Sequence, residues 1–354
     1  MTSAAIRAER KKYSGSADLV LAGGGVKGIG HVGALEALEA RGYDRFQRVV
    51  GTSVGAIVGA LVAAGMPATE IKQHLLDFSF SRLRDPGWLD RIPLIGKPAS
   101  TILECGVYEG AAVRNWLHDL LKKQEAETFA KLKARAGERL GRRLGPQDSP
   151  LVVLATDITR GRLVRLPTHY RPLYKLNPEP RFVADAVRAS LSIPIFFEPV
   201  RLNGSLLVDG GVLSNYAIDL FDAVDPAKAR WPTLGMTLLG PSESPALGRN
   251  LARNVFPPLR FVHGALPAFL ENLIGTIVVG QDQHSIEHTG VAKRTIQINT
   301  DEYGIVEFDI GGKRKQELIE RGRQAAETFL KDWDGDDGRA GSGLFPVPEG
   351  GRTQ

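Results

Sequence analysis

Short apolar runs alternate with glycine-rich turns and helix-like segments in the first part of the chain. An apolar run over residues 18–22 meets a glycine-rich turn, after which Val32, Leu35 and Leu38 recur at helical spacing. A second apolar run over 46–50 also meets a glycine-containing turn, and a segment rich in Ala, Val and Gly follows it. Strand, turn and helix repeated in this order predict a parallel sheet covered by helices.

The rest of the chain continues this α/β pattern and divides into regions. Further strand candidates lie at 151–155, 206–208 and 234–239, and a periodic helix candidate at 313–333 closes the domain. The region from about 67 to 150 has no steady period, and we expect it to decorate the sheet. Without a repeat or a linker, the pattern predicts one domain over 18–333. A polar tail (1–17) precedes it, and a Gly- and Asp-rich tail (334–354), which we expect to be disordered, follows it.

Composition excludes several classes of protein. With 43% hydrophobic and 24% charged residues, the 354-residue chain is neither a coiled coil nor a wholly disordered chain. Its single cysteine, Cys105, excludes an internal disulfide and a cysteine-rich zinc site. The longest apolar stretch, over 54–66, is shorter than the ~20 residues that span a bilayer, and the basic start of the chain lacks the apolar block of a signal peptide. We therefore expect a cytoplasmic protein.

The net charge of +5 coincides with the charge of a single stretch. Residues 122–143 contain eight basic and three acidic side chains, which equals the excess of the whole chain. Such a stretch is either a solvated helix face or an anion-binding surface. Aromatic residues are not interleaved through it, since Phe129 is its one aromatic residue, and no recognition motif accompanies it, which argues against nucleic acid as a partner. Peripheral contact with an anionic membrane surface stays open.

A serine stands between two glycines where the second strand candidate gives way to a helix. Gly51, Ser53 and Gly55 form a G-x-S-x-G pattern, which is typical of a tight strand-to-helix turn that presents a nucleophilic hydroxyl. Glycines flank the serine because the turn brings neighbouring backbone too close for a Cβ atom. The helix N-terminus that follows favours developing negative charge. The pattern predicts a nucleophile at Ser53.

The glycine-rich turn after the first strand has the form G-G-G-x-K-G over residues 23–28. Several backbone N–H groups in such a turn can bind a phosphate or an oxyanion. Gly23, Gly25 and Gly28 also satisfy the G-x-G-x-x-G pattern of a dinucleotide site. That site needs an acidic residue at the end of the second strand, whereas Asp44 precedes the strand and the serine motif follows it. We therefore favour an oxyanion site over a dinucleotide site.

A third glycine motif begins with a carboxylate. Asp209 follows the strand candidate at 206–208 and precedes Gly210 and Gly211, so another loop can approach it closely. Ester hydrolysis needs a nucleophile, a proton acceptor and donors for the oxyanion, and the three motifs supply one of each. His284 and His288 have the spacing of a helical metal pair but no fitting acidic partner. We expect no metal and no cofactor, so activity should survive chelation.

These motifs together resemble the patatin-like phospholipases. The resemblance covers about residues 18–333, is weakest over 67–150, and is carried by the runs at 24–28, 30–33, 51–55, 188–194 and 209–211. It implies a three-layer α/β fold with a mostly parallel central sheet flanked by helices. It also implies a Ser–Asp dyad in place of a triad.

The resemblance assigns roles position by position. Ser53 would be the nucleophile and Asp209 the base, and the backbone N–H groups of Gly24, Gly25 and Val26 would form the oxyanion hole. The supporting motif residues are Gly23, Lys27, Gly28, Gly51, Gly55, Gly210 and Gly211. Two departures concern specificity rather than activity. Lys27 stands where many relatives have Arg, and the run at 215–217 lacks a proline that many relatives carry after the asparagine.

The function that follows is a serine lipid acyl hydrolase acting on phospholipids or related acyl esters. Three alternatives stay open. A Ser-His-Asp esterase would use His263, His284 or His288, which follow the acid in chain order. A catalytically silent protein would only bind lipid. An acyltransferase would pass the acyl group to an acceptor other than water.

Overall fold

The computed structural model describes most of the region between the two predicted tails. The described residues are 15–80, 108–145, 148–194, 196–223, 229–239, 289–304, 307 and 310–333. Residues 1–14, Cys105 and the predicted tail at 334–354 lie outside the described residues. Within the described ranges, no helix combines the length and the apolar character needed to cross a bilayer.

Eight strands form one mixed sheet in which five neighbouring strands are parallel. The strands are β1 (Ser16–Leu21), β2 (Arg45–Thr52), β3 (Leu151–Asp157), β4 (Arg162–Leu166), β5 (Val200–Leu202), β6 (Ser205–Asp209), β7 (Thr233–Leu239) and β8 (Thr295–Asn299). Their order is β5-β6-β3-β2-β1-β7-β8, with β4 also paired to β3. The pairs among β3, β2, β1, β7 and β8 are parallel, whereas β4 and β6 run antiparallel to β3.

Helices connect the strands and cover the sheet. The α-helices are α1 (Gly30–Ala40), α2 (Val54–Ala63), α3 (Ala68–Asp77), α4 (Ala111–Lys123), α5 (Phe129–Leu140), α6 (Tyr170–Tyr174), α7 (Val183–Ser190), α8 (Thr289–Ala292) and α9 (Gly312–Asp332). Short 3-10 helices lie at Gly25–Ile29, Gly210–Val212 and Ile218–Phe221. A sheet flanked by helices confirms the predicted α/β fold class.

The side chains of β1 show why the sheet sits between two layers. Leu19 and Leu21 join the large core beneath the helices, whereas Val20 joins a smaller core with Ile218 and Phe221 on the other face. A strand buried on both faces carries a continuous apolar run, as β1 does from Leu19 to Leu21. Helix α2 is buried on all sides and is apolar throughout, which places it in the interior against the sheet.

Helices α1 and α9 cross at close range because glycines face each other at the crossing. A Cβ atom at Gly33 would lie 1.7 Å from the carbonyl oxygen of Ile319, and one at Gly322 would lie 1.9 Å from that of Gly30. The predicted helix at the end of the chain thus packs on the first helix of the domain.

Two parts of the described structure differ from the sequence expectation. The region at 67–150, which lacks a steady period, contains α3, α4 and α5, and Thr128 caps the N-terminus of α5 with its side chain. Two antiparallel hairpins, β3–β4 and β5–β6, were not predicted because β5 has three residues and β4 carries arginines. These hairpins matter for the site.

Candidate active site

Ser53 lies in a strained turn at the carboxyl end of β2, where the G-x-S-x-G pattern predicts one. Its backbone has φ 52° and ψ −125°, a conformation that residues other than glycine rarely adopt. A Cβ atom at Gly51 would lie 2.4 Å from the carbonyl oxygen of Gly55, and one at Gly55 would lie 2.4 Å from that of Leu21. Close backbone packing therefore requires both flanking glycines.

A hydroxyl from a distant part of the chain holds this turn. The N–H of Ser53 donates to Ser190 Oγ at 2.8 Å, and the Ser190 hydroxyl donates to the carbonyl oxygen of Leu154 at 2.5 Å. Ser190 is the last residue of α7 and is fully buried. The Ser53 N–H is thus engaged and is not free to bind a substrate oxygen. The sequence motif at 188–194 includes Ser190, but nothing in the sequence reveals this contact.

Asp209 lies next to Ser53 because two strands share one side of β3. Thr52, the last residue of β2, pairs with Leu154, and Asp209, the last residue of β6, pairs with Ala155. Strand β4 occupies the other side of β3 at both positions. Strands β2 and β6 therefore meet end to end, and Asp209 stands one register position beyond Thr52.

The carboxylate of Asp209 is buried among neutral groups. It is 1% exposed, and Oδ1 accepts the N–H of Gly211 at 2.8 Å. Its Oδ2 has no hydrogen bond within the described part of the chain. Burial raises the pKa of Asp209 to about 7, while the Gly211 N–H and the nearby Ser53 hydroxyl act in the opposite direction. A buried carboxylate with this pKa and a free oxygen can accept a proton at neutral pH.

The residue after Asp209 must also be small. A Cβ atom at Gly210 would lie 2.5 Å from the carbonyl oxygen of Leu154 and 3.0 Å from Cγ2 of Thr52. The 3-10 helix over Gly210–Val212 then turns the chain so that the Gly211 N–H points back to the carboxylate. The D-G-G motif therefore allows the carboxylate to approach the end of β2.

The glycine loop after β1 packs directly against the serine. A Cβ atom at Gly23 would lie 3.0 Å from the Cβ of Ser53, and Gly25 has φ 59°, which favours glycine. Gly25 and Ser53 line the same cleft. Gly24 precedes the 3-10 helix over Gly25–Ile29 as its N-cap residue and makes no side-chain cap bond. The first N–H groups of a helix lack partners within it.

Contacts from two sides fix this loop. Asn215 donates from Nδ2 to the carbonyl oxygen of Gly23 at 3.2 Å, and the N–H of Gly23 donates to the Asn215 carbonyl at 3.4 Å. On the opposite side, a Cβ atom at Gly28 would lie 2.2 Å from Cγ1 of Val54, the residue after the serine. The loop is therefore packed between Asn215 and the start of α2.

Two ionisable side chains are buried beside the loop. His31 donates from Nε2 to the carbonyl oxygen of Ala22 at 2.9 Å, and burial lowers the pKa of His31 to about 4. Burial also lowers the pKa of Lys27 to about 8, although Asp301 attracts its positive charge. A neutral His31 connects α1 to the end of β1 and has a structural role.

An apolar cleft opens beside the serine and the glycine loop. The empty space of the cleft, including its open mouth, is about 420 Å³. Its apolar walls comprise Val54, Ile57, Phe80, Val113, Leu191, Ile193 and Phe197. Arg188 also lines the cleft, but its guanidinium donates to two backbone carbonyls and to Ser192 Oγ. The cleft therefore suits a hydrocarbon chain more than a charged group.

The sequence leaves open a histidine as the base and a histidine pair as metal ligands, and most of these histidines lie outside the described residues. His263, His284 and His288 all lie outside the described residues. Among the described histidines, none forms a hydrogen bond with Ser53 or Asp209. The same part of the chain contains no group of three or more His, Cys, Asp or Glu side chains placed to hold a metal ion.

The basic stretch at 122–143 is used mainly inside the protein. The basic side chains with contacts to described groups are Lys131, Lys133, Arg135, Arg139 and Arg142. Arg135 donates to the carbonyl oxygen of Ala64 at 2.6 Å and so caps α2, and Arg139 donates to that of Phe46 at 2.9 Å. The charge excess of this stretch therefore fastens α5 to its neighbours.

Comparisons with known proteins give the family and the fold of the chain. A family model described as patatin-like phospholipase matches residues 19–222. The protein YqhO of Bacillus subtilis (strain 168) is 34% identical over 323 residues, which cover 89% of this chain and 98% of YqhO. An NTE family protein of Mycobacterium tuberculosis is 27% identical over 197 residues, which cover 55% of this chain and 42% of that protein.

A solved structure shows the same fold. VipD from Legionella pneumophila superposes with a TM-score of 0.52 at 18% sequence identity, over 89% of this chain and 66% of the VipD chain. The chain thus spans nearly all of YqhO, about two thirds of VipD and less than half of the mycobacterial relative.

Proposed function

The chain belongs to the patatin-like phospholipase family, and from this premise we propose that it cleaves acyl esters of lipids through an acyl-enzyme on Ser53, with Asp209 as the base. The family makes the protein a lipid acyl hydrolase. The proposal adds the two residues, their roles and the donors that stabilise the oxyanion.

One observation carries the assignment of the base. Thr52 and Asp209 pair with consecutive residues of β3, so the carboxylate stands beside the serine that follows Thr52. Its Oδ2 is buried and has no hydrogen bond within the described ranges. A buried polar atom without a partner is costly to folding. This cost is consistent with a site kept for chemistry.

Acylation then needs three groups. The Asp209 carboxylate takes the proton of the Ser53 hydroxyl as Oγ attacks the ester carbonyl carbon. The tetrahedral oxyanion accepts hydrogen bonds from the N–H groups of Gly24, Gly25 and Val26, each worth several kcal/mol, typically ~2.7–4. When the C–O bond breaks, protonated Asp209 returns the proton to the leaving alcohol oxygen.

Deacylation reverses the roles of the same groups. Asp209, again ionised, takes a proton from a water molecule that attacks the acyl carbonyl. The oxyanion forms at the same N–H donors, and its collapse restores Ser53 Oγ, which regains the proton from Asp209. The products are a fatty acid and an alcohol, and no metal takes part in any step.

The apolar cleft supports hydrocarbon as the bound part of the substrate. Ser53 lines the cleft together with its apolar side chains, so the ester carbonyl would lie against Ser53 within it. Arg188 is its charged lining residue, and internal hydrogen bonds occupy that guanidinium. We therefore place the acyl chain in the cleft and the polar headgroup at its mouth.

The experiment is incubation of the purified protein with mixed phospholipids, with released fatty acid and lyso-lipid identified by mass spectrometry. We expect both products, unchanged by EDTA, and no product from Ser53→Ala. Ser214→Ala is the matched control, because it removes a hydroxyl near the site that makes no described hydrogen bond. Turnover by Ser53→Ala, or loss of turnover in EDTA that calcium restores, would contradict the mechanism.

A further inference from the structure

Two hairpins extend from the sheet beyond the serine. Strand β3 continues three residues past the partner of Thr52 to Asp157, where the turn into β4 begins. Three strand residues span about 10 Å. The β5–β6 hairpin runs alongside, since the carbonyl oxygen of Leu206 accepts the N–H of Ile158. The turns of both hairpins therefore project from the edge of the sheet that carries Ser53.

These hairpins concentrate positive charge. From Ile158 to Lys175 the chain has five basic residues and no acidic residue, and Arg201 on β5 adds a sixth positive charge. The exposed basic side chains are Arg160, Arg162, Arg165, Arg171, Lys175 and Arg201. Arg160 pairs with Asp157, and the other five form no ion pair with a described residue. This differs from the stretch at 122–143, whose basic side chains mostly bind groups within the protein.

Exposed apolar side chains stand on the same edge. Ile158 at the hairpin turn is 50% exposed, and Leu213, four residues after Asp209, is 42% exposed. Most large apolar side chains of the described residues are buried, so these two, together with Phe182 at 36% exposed, are exceptions. Exposed basic side chains on the same hairpins as a projecting apolar side chain complement the two parts of an anionic bilayer, its charged surface and its hydrocarbon.

We propose that Ile158, Arg162, Arg165 and Arg201, here called the hairpin surface, dock on an anionic lipid bilayer and bring the edge carrying Ser53 against the membrane. The purpose of this docking rests on the proposed function, but the docking itself can be measured without turnover. Charges on an edge strand also oppose pairing with another strand. That role alone would not place an exposed Ile158 at a turn that projects from the edge carrying Ser53.

The test uses the full chain with Ser53→Ala, so that vesicles stay intact. Vesicles of phosphatidylcholine alone, and of phosphatidylcholine with 30 mol% phosphatidylglycerol, are titrated and bound protein is separated by flotation. The hairpin variant carries Arg162→Gln, Arg165→Gln and Arg201→Gln, and leaves Arg160 in place because it bonds Ser205. The control variant carries Lys122→Gln, Lys123→Gln and Arg143→Gln, which removes the same charge from exposed sites in the other basic stretch.

We expect the parent to prefer the anionic vesicles and to lose binding as salt rises. At about fivefold for each basic residue near an anionic surface, the hairpin variant should bind ~100-fold more weakly. The control variant should stay within about threefold of the parent. Equal binding by parent and hairpin variant would overturn the proposal, and so would equal losses in both variants, because net charge alone would then explain binding.

Two further measurements distinguish membrane docking from the proposed ester hydrolysis and from nucleic acid binding. With Ser53 restored, the hairpin variant should hydrolyse a soluble short-chain ester at the parent rate. If the parent itself lacks ester turnover, the proposed function fails while the vesicle result still decides the docking surface. A 20-nucleotide single strand and its duplex are titrated in parallel. Nucleic acid binding that is tighter than vesicle binding and lost in the hairpin variant would also overturn the proposal.

Discussion

Two aspartates are buried at opposite ends of the parallel strands, and their partners differ. Asp18 near the start of β1 and Asp209 at the end of β6 are each 1% exposed. Both oxygens of Asp18 bind the guanidinium of Arg48, one of them to Nε at 3.0 Å. Asp209 accepts one backbone N–H, from Gly211, and its other oxygen has no hydrogen bond among the described residues.

The presence or absence of a counter-charge distinguishes a carboxylate with a structural role from one that can act in acid–base chemistry. Burial raises the pKa of both aspartates, but the charge and hydrogen bonds of Arg48 oppose the rise at Asp18. At Asp209 only neutral donors oppose it, and the pKa reaches about 7. The net pKa of Asp18 is still raised, so the two carboxylates differ in their partners rather than in the direction of the shift: Asp18 lies in an ion pair with Arg48, whereas Asp209, with a pKa of about 7, has no cationic partner among the described residues. Perturbed carboxylates without a counter-ion are candidates for acid–base roles.

The largest expected effect is the loss of turnover in Asp209→Asn. Asn keeps the shape and the acceptor for the Gly211 N–H but cannot take a proton, so we expect ester turnover to fall at least ~1,000-fold. The measurement is kcat/KM on a soluble ester, with folding checked by circular dichroism. Turnover within tenfold of wild type in a folded Asp209→Asn protein would remove Asp209 from the mechanism.

The same variant should be more stable than the wild type at high pH. Below about pH 4 Asp209 is protonated in both the folded and the unfolded chain. As pH rises from about 4 to about 7, the unfolded chain releases this proton while the folded protein retains it, so the contribution of Asp209 to stability falls. Asn does not ionise. The gain in Tm of Asp209→Asn over wild type should therefore be larger at pH 8 than at pH 4.5.

Asp18→Asn should show the opposite combination of effects. It removes the carboxylate that Arg48 binds, and we expect a loss of about 1–3 kcal/mol in the free energy of unfolding. The loss falls short of that for a fully buried pair because the Arg48 side chain is 39% exposed. Turnover per folded molecule should stay unchanged. Urea unfolding and active-site titration check the two parts, and a large drop in turnover would contradict the comparison.

Ser190→Ala tests a smaller contribution to turnover, which is the positioning of Ser53. It leaves the Ser53 N–H and the Leu154 carbonyl without their shared hydroxyl, and we expect turnover to fall about tenfold or more through a misplaced Ser53. As a positioning effect it should lower kcat and the rate of fluorophosphonate labelling, with little change in KM. Ser190→Thr, which restores the hydroxyl, should recover part of the loss. Equal rates in Ser190→Ala and wild type would contradict this role.

Histidine substitutions should have the smallest effect on rate. His31→Ala loses the bond to Ala22, but its imidazole has no role in proton transfer, so turnover should stay within about tenfold, or ~1.4 kcal/mol. We expect the same for alanine at His263, His284 and His288. A folded histidine variant that loses a thousandfold in rate would replace the dyad with a Ser-His-Asp triad.

The sequence alone predicts the chemical groups of the candidate active site but not the contacts that bring these groups together. The strained turn at Ser53 and the close packing of Gly23 follow from local patterns, because glycine spacing reports backbone crowding. The meeting of β2 with β6 depends on register along β3, and the Ser53–Ser190 bond joins residues 137 positions apart. No local pattern carries such contacts.

Charge shows the same limit. The stretches at 122–143 and 158–175 each have a net charge of +5 in the sequence. In the first, Arg135 and Arg139 bind backbone carbonyls, whereas in the second Arg162 and Arg165 form no ion pair with a described residue. The net charge of a stretch can be counted in the sequence, but which basic side chains bind groups within the protein depends on the fold.

The most direct test of the central claim is the pH dependence of fluorophosphonate labelling at Ser53, measured by intact-protein mass spectrometry in wild type and Asp209→Asn. In the wild type the labelling rate should rise with pH through an apparent pKa near 7, as Asp209 ionises. In Asp209→Asn the rate should be far lower and should show no such rise. A variant that labels at the wild-type rate with the same rise near pH 7 would contradict the account, because another group would then be the base.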